Sequence, residues 1–207
     1  VARGSRVLDV GCGDGALLAY LGREKDVDGR GIELSMSGVR TAVSHGLSVI
    51  QGDADTDLKD YPTGSFDYVI LSQTLQATRA PKGVIEQLLR IGRHAIVSFP
   101  NFAHWRLRLH LLVDGRMPVT GAMPYEWWET PNIHFCTIRD FVVLCQELGI
   151  SIERSLCLDV NGKVQPFPAT GGLANLLGGQ AVYLLSLTEP HRGRRPWPDV
   201  APAPSGG

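Results

Sequence analysis

The sequence predicts an α/β fold in which helices cover both faces of a mostly parallel sheet. Short β-branched segments alternate with longer segments of helical periodicity through the first hundred residues. Strands separated by helices in this way are typical of βαβ units. A glycine-rich turn follows the first predicted strand, and an acidic residue ends the second. That pairing is typical of folds that bind a nucleoside at the carboxyl ends of their strands.

The predicted elements of the first half follow one another in the order that such a fold requires. Strands are predicted at 6–10, at a segment ending with 31–34, and at 47–51, 66–71 and 95–99, with helices at 16–23, 37–45, 81–91 and 102–112. Gly46 ends the second helix, and Pro81 suits the first turn of the third. The last of these helices is predicted to be amphipathic, with one apolar stripe formed by Phe102, Trp105, Leu109 and Leu112.

The second half of the chain changes character after that helix. A long connection at about 113–136 holds three prolines and the pair Trp127–Trp128, and its aromatic content favours an ordered loop. A helix is predicted next, with Thr137 as its N-cap and Asp140 in its first turn. This helix covers 137–148, and two further strands are predicted at 150–160 and 181–188.

The composition is that of one folded domain with little net charge. The chain has 207 residues, with 20 Lys and Arg against 21 Asp and Glu. This balance gives no electrostatic reason to expect binding to nucleic acid or an anionic membrane. Four cysteines without a CxxC pair predict no metal site, and without a visible leader segment we expect a cytoplasmic protein. Residues 1–189 are predicted to form a single domain, and the Pro- and Arg-rich segment 190–207 a disordered tail.

The glycine-rich turn VLDVGCGDG, at 7–15, is the most informative segment. Its glycines allow a sharp turn and let a ligand come close to main-chain N–H groups. Glu33 stands 22 residues after Gly11, at the end of the second predicted strand. An acidic residue there can accept hydrogen bonds from both hydroxyls of a ribose.

Two kinds of nucleoside ligand fit this pattern, and charge favours one of them. The turn also matches the dinucleotide pattern G-x-G-x-x-G/A, but a pyrophosphate would be repelled by Asp9 and Asp14. S-adenosylmethionine instead brings an ammonium and a sulfonium, which nearby carboxylates attract. Asp53, beside Ala54 after the third strand, adds an acid that an adenine amino group could meet. The sequence therefore favours S-adenosylmethionine over NAD.

Candidate residues for a substrate or a partner lie in the second half. Arg106 and Arg108, near His104, could hold a carboxylate substrate or an acidic partner surface, or could belong to a solvated helix face. The pair Trp127–Trp128 could be a lid over the pocket, an anchor for another protein, or part of the core. No catalytic residue is assigned. The fourth strand is followed by LSQT rather than an Asn/Asp-Pro-Pro-Tyr motif, which disfavours methylation of nucleobases.

Several segments carry a resemblance to known families. LDVGCGDG, GIELS, QGDAD and FDYVILSQTLQ resemble successive motifs of class I S-adenosylmethionine-dependent methyltransferases. VILSQTLQATRAP, SFPNFAHWRLRLHLLVDGRMPVTG and PYEWWETPNIHFCTIRDF are similar to segments of the bacterial methionine-biosynthesis family MetW. The first set identifies the superfamily, and the last two segments are specific to MetW. The resemblance extends from about residue 7 to residue 187.

The resemblance implies a three-layer, Rossmann-like class I methyltransferase fold, with a seven-stranded sheet whose last strand is antiparallel. It implies cofactor binding at Asp9, Gly11, Gly13, Glu33, Asp53 and Ala54. It also implies a role in methionine biosynthesis beside a homoserine O-acyltransferase, which transfers an acetyl or succinyl group. The alternative is an active S-adenosylmethionine-dependent methyltransferase acting on a small molecule. The helix that usually precedes the first strand in this class is expected to be absent from the printed sequence.

Overall fold

A seven-stranded mixed sheet forms the centre of the computed structural model, which describes residues 1–120 and 123–187. The strands are β1 Arg6–Val10, β2 Asp28–Glu33, β3 Ser48–Gln51, β4 Phe66–Ser72, β5 Gly92–Pro100, β6 Ile150–Leu158 and β7 Gln180–Leu187. Their order is β3-β2-β1-β4-β5-β7-β6. The last strand, β7, runs antiparallel to both of its neighbours, and the other pairs are parallel. The predicted fold class is confirmed; the predicted tail at 190–207 lies outside the described residues.

Within the described residues the chain forms six α-helices, and helices cover both faces of this sheet. They are α1 Ala16–Lys25, α2 Met36–Ser44, α3 Pro81–Ile91, α4 Trp105–Asp114, α5 Ile138–Glu147 and α6 Gly172–Leu177. On one face Leu18 of α1 and Ala42 of α2 are buried against the sheet. On the other, Leu88 of α3 and Phe141 of α5 are buried in the larger apolar cluster. No helix in the described ranges is both long enough and apolar enough to cross a membrane.

The strand order creates a crevice where the chain changes direction. From β1 the chain crosses outward through β2 to β3, and β4 then returns to the opposite side of β1. The connections that leave the carboxyl ends of β1 and β4 therefore diverge. In open α/β sheets ligands bind in this crevice, so the topology places the glycine-rich turn at its edge.

The predicted start of α5 is confirmed by its hydrogen bonds. The Thr137 hydroxyl accepts a hydrogen bond from the Asp140 N–H at 3.1 Å, and the Asp140 carboxylate accepts one from the Thr137 N–H at 3.3 Å. This reciprocal arrangement satisfies two N–H groups that the first turn of a helix leaves without partners.

Helix α4 differs from its prediction in start and in burial. It begins at Trp105 rather than Phe102, because the His104 ring accepts the Arg106 N–H and caps the helix there. The predicted apolar stripe is solvent-exposed along the helix, and Leu112 is 82% exposed. Leu107, which lies off that stripe, is the helix residue buried against the domain. The periodicity of apolar residues correctly identifies the helix, but it does not show which of its faces packs against the domain.

The long connection between α4 and α5 is tied to the rest of the fold. Its residues Thr120 and Met123 form an isolated antiparallel bridge, and Met123 is buried. Farther along, the Gln76 carbonyl accepts hydrogen bonds from the N–H groups of Ile133 and His134 at 2.8 and 3.0 Å. These contacts join the described end of the connection to the segment after β4.

The side chain of Asn101, just after β5, joins the end of that strand to the start of α5 and to the α6 segment. Its side chain is buried, and its amide nitrogen donates to the carbonyls of Asn175 and Gly178 at 3.0 and 2.8 Å. Its amide oxygen accepts from the N–H groups of Ala103 and Ile138 at 3.1 and 3.3 Å. All of the ordinary hydrogen-bonding capacity of this side chain is therefore used structurally.

Replacing Asn101 by alanine should destabilise the domain strongly. The change leaves buried carbonyl and N–H groups without partners, for which we expect a loss of about 2–4 kcal/mol in the free energy of unfolding. Urea unfolding measures this loss, with the exposed Asn161→Ala as the control. Equal stability of the two variants would contradict the structural role.

Candidate cofactor-binding site

The glycine-rich turn between β1 and α1 lies against the end of β4. Gly11 has a φ of +72°, and its N–H donates to the Ile32 carbonyl at 2.8 Å. A Cβ atom at this position would lie 2.6 Å from the Thr74 hydroxyl oxygen. Only glycine combines this backbone conformation with so close an approach, because the left-handed region is unfavourable for other residues and a side chain would collide.

The carboxylate of Glu33 holds this turn at the end of β2. One oxygen accepts a hydrogen bond from the Gly13 N–H at 2.8 Å, and the other accepts one from the Ser35 N–H at 2.8 Å. Each carboxylate oxygen has a further lone pair. The same side chain can therefore organise the turn and still accept hydrogen bonds from two ligand hydroxyls.

Asp9 is a buried acid directly before the turn. Its exposure is 2%, and its Oδ1 atom has no hydrogen-bond partner among the described residues. Burial, and secondarily the negative charge of Glu33, raises the pKa of Asp9 to about 7. Burying an ionised carboxylate without a partner is costly, so this environment favours an approaching positive charge.

A cavity of about 430 Å³ lies at the carboxyl ends of β1, β2 and β4. Of the predicted cofactor residues, Gly11, Glu33, Asp53 and Ala54 line it, while Asp9 and Gly13 do not line it. Its other lining residues are the apolar Val10, Ile32, Leu34, Ala77 and Ile133 and the polar Asp55, Gln73, Thr74, Thr78 and Arg79, with Gly52. This volume and this mixture of apolar and polar groups are typical of small-molecule sites.

Arg79 and Asp55 belong to the cavity but were missed by the sequence reasoning. The Arg79 guanidinium pairs with Asp53, and its Nε lies 3.5 Å from the Asp55 carboxylate. The carboxylate of Asp55 also accepts the N–H groups of Arg79 and Ala80, both at 2.9 Å. The loop after β3 is thereby joined to the loop after β4. An arginine after β4, in a row of otherwise neutral residues, was the signal available in the sequence.

Gln73 lies at the end of β4 in a strained backbone conformation. Its φ of +53° is unusual for a residue other than glycine. Its N–H donates to the Ser98 carbonyl at 2.9 Å, and its side-chain amide donates to the Ser98 hydroxyl at 3.3 Å. These bonds hold Gln73 at the cavity wall. They also pair the polar groups of Gln73, after β4, with those of Ser98 in β5.

His104, Arg106 and Arg108 do not line the 430 Å³ cavity. His104 is buried as the cap of α4, and burial, followed by the charge of Arg106, lowers its pKa. The Arg106 guanidinium lies 5.4 Å from the centre of the Trp105 ring, and the Arg108 Nε donates to the Ala103 carbonyl at 2.6 Å. Both arginines are exposed, so their predicted contacts with a substrate or a partner stay predictions.

The pair Trp127–Trp128 is exposed on the connection between α4 and α5. The two side chains are 67% and 61% exposed, and their rings meet edge to face at 5.6 Å. Neither ring lines the cavity. The exposure excludes the core role, and the pair presents a large aromatic surface to solvent.

A second cavity, of about 490 Å³, lies beside the edge strand β3. It includes Arg30, Ile50, Asp60 and Tyr61 but neither the glycine-rich turn nor Glu33. Since ligands in open α/β sheets bind at the carboxyl ends of strands beside the change of direction, the 430 Å³ cavity is the candidate site.

The Asp9→Asn variant should respond to pH differently from the wild type. The Asp9 pKa is about 7 in the folded chain against 3.8 ordinarily, so the folded state holds this proton more tightly between those values. The contribution of Asp9 to the free energy of unfolding therefore falls as pH rises from about 4 to about 7, by roughly 4 kcal/mol at most.

Urea unfolding at about pH 5 and about pH 8 tests this sign, since Asp9→Asn should gain stability relative to the wild type as pH rises. Asp14→Asn, on the same turn but exposed, serves as the control and should follow the wild type. Parallel pH profiles for Asp9→Asn and the wild type would contradict the raised pKa.

Comparisons with known sequences reveal the chain's relatives. The family model "Methionine biosynthesis protein MetW" matches residues 1–185. The chain is 37% identical over 170 residues to the bifunctional methionine biosynthesis protein MetXA/MetW of Rhodopirellula baltica, covering 78% of this chain. That match spans only 27% of the length of the R. baltica protein. The chain is also 28% identical over 188 residues to ajmaline N-methyltransferase of Rauvolfia serpentina, covering 84% of this chain and 64% of that enzyme.

Solved structures share the fold at low sequence identity. A possible histamine N-methyltransferase of Thermotoga maritima superposes with a TM-score of 0.65 at 16% identity, covering 89% of this chain and 82% of that one. The [4+2]-cyclase SpnF superposes with a TM-score of 0.61 at 19% identity, covering 90% and 76%. These likenesses show a Rossmann-like methyltransferase fold. With the family match over nearly all of the described residues, the chain belongs to the MetW family of methionine-biosynthesis proteins.

Proposed function

We propose that this chain binds S-adenosylmethionine in the 430 Å³ cavity and acts in methionine biosynthesis as a companion of a homoserine O-acyltransferase, whether acetyl- or succinyl-transferring. One observation carries the cofactor assignment: two acids, Glu33 and the unpartnered Asp9, flank the glycine-rich turn. When bound, S-adenosylmethionine supplies a methyl group activated on a sulfonium.

Charge supports this ligand over a dinucleotide. A pyrophosphate at the turn would meet Asp9 and Glu33, whose own repulsion helps to raise the Asp9 pKa. Arg79 is the one basic side chain among the described cavity residues, and Asp53 and Asp55 already hold it. A ligand with an ammonium and a sulfonium meets none of this repulsion.

The cavity residues, with Asp9 behind the turn, offer partners for the ribose, the adenine and the ammonium of the proposed ligand. Glu33 accepts the ribose hydroxyls with its remaining lone pairs. Asp53 accepts the adenine amino group, and Leu34 and Ala77 provide apolar contacts for the ring. The ammonium lies on the Asp9 side, where a positive charge would relieve the burial of that acid.

The polar side chains at the ends of β4 and β5 favour a companion role over catalysis. The Gln73 and Ser98 side chains bond to each other, and Asn101 is saturated by four hydrogen bonds. A general base is needed only where a methyl acceptor must lose a proton, and these polar groups are engaged elsewhere. The alternative function is methyl transfer to a small molecule.

Two observations support the acyltransferase as partner. The R. baltica relative is bifunctional, and its name joins MetXA to MetW in one polypeptide. The chain also exposes apolar side chains on α4 and on the following connection: Trp105, Leu109, Leu112, Trp127 and Trp128. Exposed tryptophans are frequent anchors in protein interfaces. Exposed Arg106 and Arg108 add positive charge on the same helix.

Glu33→Gln should weaken S-adenosylmethionine binding by about tenfold or more. The variant turns one acceptor oxygen into an amide that faces an N–H group of the turn, and it removes the charge that strengthens the ribose contacts. Isothermal calorimetry measures the dissociation constant, with the exposed Glu147→Gln as control. Unchanged binding in Glu33→Gln would remove Glu33 from the site.

The double variant Trp127→Ala, Trp128→Ala should lose binding to the acyltransferase by about tenfold or more, because buried tryptophans dominate interface energies. Leu156→Ala, an exposed apolar residue on β6, is the matched control. Co-purification and the rate of homoserine acylation with and without this chain provide the readouts. No effect of the chain on the enzyme would refute the companion role, and transfer of a labelled methyl group to a metabolite would favour the alternative.

A further inference from the structure

The segment after β4 touches the cavity on one side and the α4–α5 connection on the other. Thr78 and Arg79 line the cavity. From the same segment, the Gln76 carbonyl accepts the N–H groups of Ile133 and His134 at 2.8 and 3.0 Å. The His134 ring nitrogen Nε2 also lies 3.4 Å from the Arg79 carbonyl. Any shift of the segment after β4 therefore acts on the stretch that leads back to Trp127–Trp128.

The side chain of Arg79 adds ion pairs to the two backbone hydrogen bonds, from the Arg79 and Ala80 N–H groups to Asp55, that also join that segment to the loop after β3. Its guanidinium pairs with the Asp53 Oδ2 atom and lies near Asp55. The other oxygen of Asp53 accepts the Asp55 N–H at 2.9 Å, and the Asp53 N–H donates to the Asp57 carboxylate at 2.9 Å. The Asp53 carboxylate is thus fixed in place: Oδ1 accepts the Asp55 N–H, and Oδ2 faces Arg79, which lines the cavity beside it.

The hold of Arg79 on Asp53 is weak enough to be exchanged. The Arg79 side chain is 63% exposed, and water competes effectively for ion pairs in that setting. Each Asp53 oxygen keeps a further lone pair, so the competition is for space: a ligand amino group that approaches Asp53 within the cavity meets the guanidinium that already lines that wall.

We propose that Arg79 is a displaceable latch, whose side chain leaves Asp53 when a nucleoside binds. The segment after β4 then shifts, and through its hydrogen bonds to Ile133 and His134 it moves the stretch that carries Trp127 and Trp128. The inference rests on the proposed cofactor and adds a physical route from the cofactor cavity to the exposed tryptophans. Binding energies are reciprocal. A partner that prefers the shifted connection therefore raises the affinity for the cofactor by the same factor by which the cofactor raises the affinity for the partner.

The sign of the Arg79→Gln effect distinguishes a latch from a simple support. A latch competes with the ligand, so its removal should strengthen S-adenosylmethionine binding by about two- to fivefold, the range expected for one exposed ion pair. A support that merely orients Asp53 would weaken binding when removed. Arg93→Gln removes a comparable exposed contact, to Asp67 at 3.9 Å on the amino side of the sheet, and is the matched control.

The experiment uses tryptophan emission of the full chain beside calorimetry. The sequence has four tryptophans, so a reporter chain with Trp105→Phe and Trp197→Phe emits from Trp127 and Trp128 alone. Titration with S-adenosylmethionine should change this emission, and Arg79→Gln should bind more tightly while losing most of the change. Arg93→Gln should match the reporter chain in both measurements.

Three outcomes would overturn the latch. If S-adenosylmethionine binds by calorimetry without any change in the Trp127–Trp128 emission, the latch fails while the cofactor assignment stands. If Arg79→Gln binds more weakly, or keeps the full emission change, Arg79 is a support and not a latch. If calorimetry detects no binding to the wild type, the proposed cofactor and the latch fail together.

Discussion

The carboxylate of Glu33 is the contact on which the candidate site depends. By accepting the N–H groups of Gly13 and Ser35, it fixes the glycine-rich turn to the end of β2. The turn can lie there only because Gly11 fits against Thr74 without a side chain. One side chain thus joins the first two βα units, and its position at the edge of the cavity leaves lone pairs for a ligand.

This arrangement gives the cavity an unbalanced charge. Asp9 is buried next to the turn without a hydrogen-bond partner for Oδ1 in the described structure, and Glu33 lies close enough to raise its pKa. On the far wall, formed by the loops after β3 and β4, the single guanidinium of Arg79 offsets one of the two negative charges of Asp53 and Asp55. The cavity therefore favours a positive charge at the turn and a hydrogen-bond donor at the far wall, which together describe the proposed cofactor.

The sequence predicted most of the fold, and four of the six residues proposed to bind the cofactor line the cavity: Gly11, Glu33, Asp53 and Ala54. The glycines of the turn, the acid at the end of β2 and the Thr137–Asp140 cap are each recognisable from a short stretch of sequence, although Glu33 and Gly11 make their contacts with other elements. Arg79 and Gln73 were missed because their roles arise from loops brought together by the sheet. The stripe on α4 had the correct period, but a period does not reveal whether the domain or another molecule covers it.

Proton release on cofactor binding tests the central claim most directly, because it reports the meeting of Asp9 with a positive charge. Calorimetry with S-adenosylmethionine near neutral pH, repeated in buffers with different ionisation enthalpies, measures the protons exchanged. Since the Asp9 pKa is about 7, a nearby cation should lower it and release up to about half a proton per ligand bound. Asp9→Asn should abolish the release. Binding without proton release, or no binding at all, would contradict the account.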